Sequence, residues 1–197
     1  MDDGNALHHL LAQVRSCRVC EGSLDAGPRP IVQVARRAPI VIIGQAPGRR
    51  VHESGIPWDD PSGDTLRSWL QLDHAQFYDP DTVAILPMGF CYPGSTKSGD
   101  KPPRPECAPL WHAQILDHLP RNRLEVIIGM YAQRRYVPEL KGKVTETVAA
   151  WQDLLPDRIV LPHPSPRNRH WLMKNPWFEA DVLPAVAGRV SEVLQGR

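Results

Sequence analysis

The sequence contains no run approaching the ~18–20 consecutive apolar residues that a membrane-crossing helix needs, so no membrane span is expected. It also has little net charge, with 23 Lys and Arg against 22 Asp and Glu, or +1 at neutral pH. A uniformly basic, polyanion-coating protein is therefore excluded, and nucleic-acid binding has to come from a local basic face. The opening Met1-Asp2-Asp3-Gly4 is not the basic-then-apolar start of a secretory leader, so a cytoplasmic location is expected. Cysteine is scarce, with 4 residues, and in a reducing compartment these are not expected to form structural disulfides. Neither an internal repeat nor a low-complexity tail is present, and Gly99 to Pro105 reads as a loop between patterned segments rather than a linker. One domain spanning residues 1–197 follows, with 42% hydrophobic residues to build a core, and a monomer is the expected state.

Proline, by contrast, is abundant at 21 residues, and much of it falls in loops. Between those loops the apolar pattern is regular. Leu7, Leu10, Leu11 and Val14 give one face of a helix over Ala6–Val14. Ile40–Ile43, Val83–Leu86, Val126–Ile128 and Ile159–Leu161 are short, wholly apolar runs, as expected of strands buried on both faces of a parallel sheet. Ser62 is placed to cap a helix reaching Leu70, and Pro105 to start one reaching about Leu119. Asn175-Pro176 reads as the start of a last helix whose face carries Phe178, Val182, Val186, Val190 and Val193, with a kink at Pro184. Strands alternating with helices predict an α/β fold around a largely parallel sheet. Gly44-Gln45-Ala46-Pro47-Gly48, Met88-Gly89-Phe90-Cys91, Gly129-Met130-Tyr131 and His163-Pro164-Ser165 all follow predicted strands. In an open parallel sheet these loops share one edge, where ligands bind.

The cysteines fall into two pairs, Cys17-x2-Cys20 and Cys91-x15-Cys107. Four thiolates suit tetrahedral zinc or a [4Fe–4S] cluster, and spacing does not choose between them. The alternative is a set of reduced thiols packed as small hydrophobes.

The stretch His163-Pro164-Ser165-Pro166-Arg167-Asn168 carries the most chemistry, because two prolines stiffen a loop that displays an imidazole, a hydroxyl and a guanidinium. The bland reading of His163 is a satisfied structural histidine behind a strand. Gly44 to Gly48 permits close backbone approach to a ligand but matches neither a Walker nor a Rossmann fingerprint. Trp58 is either a core residue or a surface for stacking a flat base. Arg49, Arg50, Arg134, Arg135, Arg167, Arg169 and Lys174 lie on or after the same loops and form either a basic rim or a scattered solvated surface.

These segments, in this order, resemble the uracil-DNA glycosylase superfamily, closest to its iron–sulfur bacterial and archaeal branch. The likeness runs from about Leu10 to Pro166. It is carried by Cys17-x2-Cys20, Val41 to Gly48, Gly55-x-Pro57-Trp58, Ser62-Gly63, Cys91-x15-Cys107 with Ala108-Pro109, and His163-Pro164-Ser165-Pro166. The resemblance implies a three-layer α/β/α sandwich with a four-stranded parallel central sheet. It implies a [4Fe–4S] cluster on Cys17, Cys20, Cys91 and Cys107, with zinc as the lesser occupant.

As its activity the resemblance implies hydrolysis of the N-glycosidic bond of a flipped-out deoxyuridine, or another deaminated base, in DNA. Trp58 would stack on the base, and His163 would donate a hydrogen bond to uracil O2. Gly44, Ala46, Met88 and Gly89 would line the base pocket. Ser165 would meet a phosphate and Arg167 would fill the vacated stack, with Pro47, Gly48 and Asn168 beside them on the DNA side. The chain departs from the branch at two places. Its first motif has Gln45 where an acid is usual, and Gln45 can orient water but not take its proton as a carboxylate does. Pro87 stands where the uracil-reading asparagine belongs, which leaves base recognition to backbone around Met88-Gly89 or to Gln45. The alternative function is a protein of the same fold that binds damaged DNA without cutting it, or traps it covalently. The loop from Gly94 to Arg104 contains no histidine of the kind that traps the sugar in one branch.

Overall fold

The apolar runs become four parallel strands, β1 (Ile40–Ile43), β2 (Val83–Ile85), β5 (Leu124–Ile128) and β6 (Arg158–Leu161), in the order β2-β1-β5-β6. A separate short hairpin pairs β3 (Ser95–Thr96) with β4 (Gly99–Asp100). The structure is a computed structural model and describes residues 3–97, 99–140 and 142–196. Met1 and Asp2 of the opening segment, and Ser98 within the Gly94–Arg104 loop, lie outside the described residues.

Strand alternation divides the core into two layers. Val41, Ile43, Ala84, Ile127 and Val160 face a cluster completed by Leu7, Leu10, Leu11 and Val14 of α1 (Asp3–Arg15) and by Ile115. Ile40, Ile42, Val83, Ile85, Val126, Ile128, Ile159 and Leu161 face the other way, onto Leu66, Trp69, Phe77, Phe178, Val186 and Val190. Both faces of every strand are thus covered, and the result is the expected α/β/α sandwich.

The helices begin and end differently from the sequence expectation. Asp60, not Ser62, caps α3 (Pro61–Leu70): its carboxylate accepts from Gly63 N–H, and Pro61 takes the first helical position. The segment after Cys107 starts as a wide π turn over Ala108–His112 before α5 (Ala113–Leu116). The last helix likewise opens with a π turn, Phe178–Val182, and Pro184 sits just inside α9 (Leu183–Gln195). Asn175 does not cap this helix through its side chain; its Oδ1 accepts the Trp177 indole N–H instead. Helices α2 (Arg49–Ser54), α4 (His74–Tyr78), α6 (Gly129–Tyr136), α7 (Val144–Ala149) and α8 (Arg169–Lys174) fill segments whose apolar pattern predicts no helix. No helix among the described residues is long and apolar enough to cross a membrane.

Candidate active site and cysteine cluster

A cavity of about 280 Å³ opens at the C-terminal edge of the sheet. Its walls are Gly44 to Gly48, Pro57, Trp58, Asp60, Ser62, Pro87, Asp100, His163, Ser165 and Arg167, with Ile31, Val51 and Ile85 as apolar lining. The loops after β1, β2 and β6 therefore converge. The loop after β5 does so only indirectly, because Gly129 begins α6 and serves as the surface on which the Gln45 side chain rests.

Trp58 belongs to both worlds that the sequence left open. Its ring packs against the apolar layer under α3 and α9, yet it also lines the cavity. The backbone holds it in the left-handed region, at φ 59°, which costs a non-glycine residue ~1–2 kcal/mol. Three contacts fix that conformation. The Trp58 carbonyl accepts from Tyr78 Oη at 3.3 Å and from Arg67 Nη1 at 3.4 Å. Gly63 leaves space for the same carbonyl, since a Cβ there would sit 1.8 Å from the oxygen. At the other end a Cβ on Gly44 would meet the indole at 2.9 Å, so the motif glycine is needed for the ring to lie down on the loop.

The His163 ring lies 5.7 Å from the Trp58 ring, centroid to centroid, with 35° between the planes. Burial lowers the His163 pKa below the ordinary histidine value, while Asp60 pulls it back up. The imidazole is thus kept neutral, with one N–H to donate. The loop around it is held by its own side chains. Asn168 Nδ2 donates to the His163 carbonyl at 2.6 Å, and Ser165 Oγ accepts from Arg167 N–H at 3.3 Å. Asn168, expected on the DNA side, is therefore occupied in positioning His163. Ser165 still has its hydroxyl proton to offer.

Two carboxylates in the cavity were not singled out as site residues by the sequence. A methyl group on Gly48 would stand 3.5 Å from Asp100 Oδ2 and 3.9 Å from Asp60 Oδ2, so both acids look onto the same loop. Partial desolvation pushes the Asp100 carboxyl above the usual range, against the pull of Arg167 and Arg49, and Asp60 pushes it further up. Asp60 was legible as an aspartate before proline, the cap-and-first-turn signal. Asp100 had no signal, since it arrives on a hairpin with two residues per strand.

Met88 and Gly89 do not line the cavity; Pro87 does. The Met88 N–H donates to the Gly44 carbonyl at 2.9 Å and the Gly89 N–H to the Gln45 carbonyl at 2.8 Å. Neither backbone donor is left for a base. Of the residues that form either a basic rim or a scattered surface, Arg167 reaches the cavity, whereas Arg134 lines a different groove and Arg135 points to Ala108 and Tyr136.

Away from the cleft, Cys91 and Cys107 are buried and Cys17 and Cys20 half-buried. Burial above all, with a smaller push from the neighbouring thiols of Cys17 and Cys20, brings the Cys91 thiol up to about 12 and Cys107 to about 11. The main chain at Arg29 and Phe90 acts the other way, pulling the Cys91 and Cys107 thiols down in part. An all-sulfur donor set with main-chain donors beside it fits a thiolate-ligated cluster. Among the described residues no three His, Cys, Asp or Glu side chains gather closely enough to hold a single metal ion.

The profile of the Uracil DNA glycosylase superfamily matches residues 32–187, from just before β1 into α9. That span takes in the whole parallel sheet, the Gly44 loop, Trp58 and the His163 loop, and on that match the chain belongs to the uracil DNA glycosylase superfamily.

Proposed function

We propose that this protein is a monofunctional DNA glycosylase that hydrolyses the N-glycosidic bond of flipped-out deoxyuridine and leaves an abasic site. The observation that supports it most is the neutral His163 imidazole at the edge of the Trp58 ring, inside a cavity at the strand ends. Unstacking the nucleotide costs a few kcal/mol, which stacking on Trp58 offsets in part. As the bond breaks, negative charge gathers on the base. An N–H donated by His163 to O2 strengthens with that charge and so lowers the barrier rather than the ground state. The sugar becomes cationic, and the Asp60 carboxylate next to His163 adds a stabilising negative charge. Gln45 orients the attacking water. Ser165 and Arg167 at the rim take a flanking phosphate and the vacated stack.

Cys17, Cys20, Cys91 and Cys107 are the ligands we assign to a [4Fe–4S] cluster. Bound there, it would hold these buried thiols as thiolates and tie the end of α1 to the segments after β2. The all-cysteine donor set, with Cys91 and Cys107 buried, supports that assignment.

The second reading is a protein that binds uracil-containing DNA without cutting it. Pro87 favours it, since that wall offers no side-chain donor and the next two N–H groups are bonded within the protein. One incubation separates the two. Single-stranded and mismatched oligonucleotides carrying uracil, hypoxanthine or xanthine are assayed for abasic sites and for shifted bands. Base release supports the glycosylase. Salt-sensitive shifts with every glycosidic bond intact, at high protein, overturn it in favour of the binder.

A further inference from the structure

Among the described residues His112 is the most deeply buried ionisable side chain outside the cleft, at 1% exposure, and neither the chemistry above nor its own helix requires it. It sits at the end of the π turn that follows Cys107. Its Nε2 lies 3.0 Å from the carbonyl oxygen of Pro87, and its Nδ1 2.5 Å from Tyr136 Oη. A carbonyl can only accept, so Nε2 carries the proton. Nδ1 then accepts from the Tyr136 hydroxyl, beside which lies the Arg135 guanidinium. Phe90 stacks on the imidazole at 5.7 Å and 16°. Every polar atom of the ring has one assigned partner, and the orientation is unique.

The acceptor matters. Pro87 lines the cavity and has no N–H, so its carbonyl is the only backbone group by which the chain can anchor it. On either side the same strand extension is stitched to the first motif: Leu86 N–H to Ile42, Met88 N–H to Gly44 and Gly89 N–H to Gln45. We infer that His112 is a positioning residue of the cleft, fixing the Pro87 carbonyl from behind and thereby holding the backbone of Gly44 and Gln45 in register. The inference rests on the glycosylase reading for its effect on rate, but not for its effect on local structure.

The test uses three variants of the full chain. His112→Phe keeps a ring against Phe90 and loses both hydrogen bonds. His112→Gln places an amide N–H where Nε2 was and keeps the bond to Pro87. His112→Asn is polar but too short to reach, and stands in if His112→Phe does not fold. Hydrogen exchange is read on the peptide containing Leu86, Met88 and Gly89, and single-turnover uracil release is read alongside binding to an uncleavable abasic analogue. We expect exchange in the two loss variants to speed up about tenfold or more, with His112→Gln close to wild type. The chemical step should fall on the order of 10- to 100-fold, as for a reacting group misplaced by under an ångström, while affinity for the analogue changes about threefold at most. Unchanged exchange at these amides overturns the proposal whatever the activity. So does faster exchange with an unaltered chemical step, which marks His112 as a fold-stabilising group only. Faster exchange in the loss variants, with a wild type that releases no base, leaves the anchoring standing and removes the glycosylase reading instead.

Discussion

The loop after β6 and the loop after β2 leave the same edge of the sheet and face the same cavity, yet they use their polar groups in opposite ways. After β6 the backbone is secured by the loop's own side chains, Asn168 on the His163 carbonyl and Ser165 on the Arg167 N–H. An imidazole, a hydroxyl and a guanidinium line the cavity on this side. After β2 the backbone itself is consumed, its N–H groups in Gly44 and Gln45 and its Pro87 carbonyl in His112. Only a proline ring is shown to the ligand. One wall carries chemistry and the other is a scaffold. On the proposed glycosylase reading, discrimination between bases falls to Gln45, Asp60 and Asp100 rather than to the wall that carries Pro87.

The largest expected effect is on the chemical wall. His163→Ala should slow uracil release by roughly 10²–10³, the usual loss for one donor to a developing anion, with affinity for abasic DNA nearly intact. Single-turnover kinetics check this, and a loss confined to binding would contradict it.

The scaffold wall should instead show itself in stability. Burial and the Arg135 charge depress His112 to about 4 from 6.5. The unfolded chain binds the proton first, so stability falls as pH drops from 6.5 towards 4. No stability is lost to this group above that window, and the loss reaches ~3 kcal/mol at its acid end. Urea unfolding at pH 7, 5.5 and 4.5 should show a smaller acid loss in His112→Gln than in the wild type.

Pro87→Asn would put a side-chain amide on the silent wall. One neutral hydrogen bond is worth ~0.5–1.5 kcal/mol, so preference for uracil over hypoxanthine should rise by about threefold to tenfold. No change would mean that the amide cannot reach the base. The smallest effect is expected at Asp100→Asn, which removes the carboxylate beside Arg167 and Arg49. Binding should tighten a few-fold at low salt, and the salt slope should steepen by up to about one unit.

The same contrast explains what could be read in advance. The four strands were legible because burial on both faces demands unbroken apolar runs, and the α/β/α layering follows from them. The His163 loop was legible because its proline and polar residues are contiguous. The scaffold wall was not, since backbone pairing of Met88 and Gly89 leaves no mark in their side chains. Helix α2 lacks the apolar periodicity that marks a packed helix, because Val51 is its only buried residue. Helix α6 opens on Gly129, at φ 77°, which reads locally as a turn. Asp100 reaches the cavity on a hairpin too short to leave a pattern.

Trp58 has a consequence for selection on this fold. A tryptophan in the left-handed region is a thermodynamic deficit of ~1–2 kcal/mol that glycine or asparagine would largely erase. Packing of the indole against the layer under α3 and α9 more than offsets that deficit, because truncating a packed tryptophan costs ~3–5 kcal/mol. The side chain thus retains the backbone strain that it suffers, and a library screened for melting temperature and for base release should disfavour small residues there in both screens.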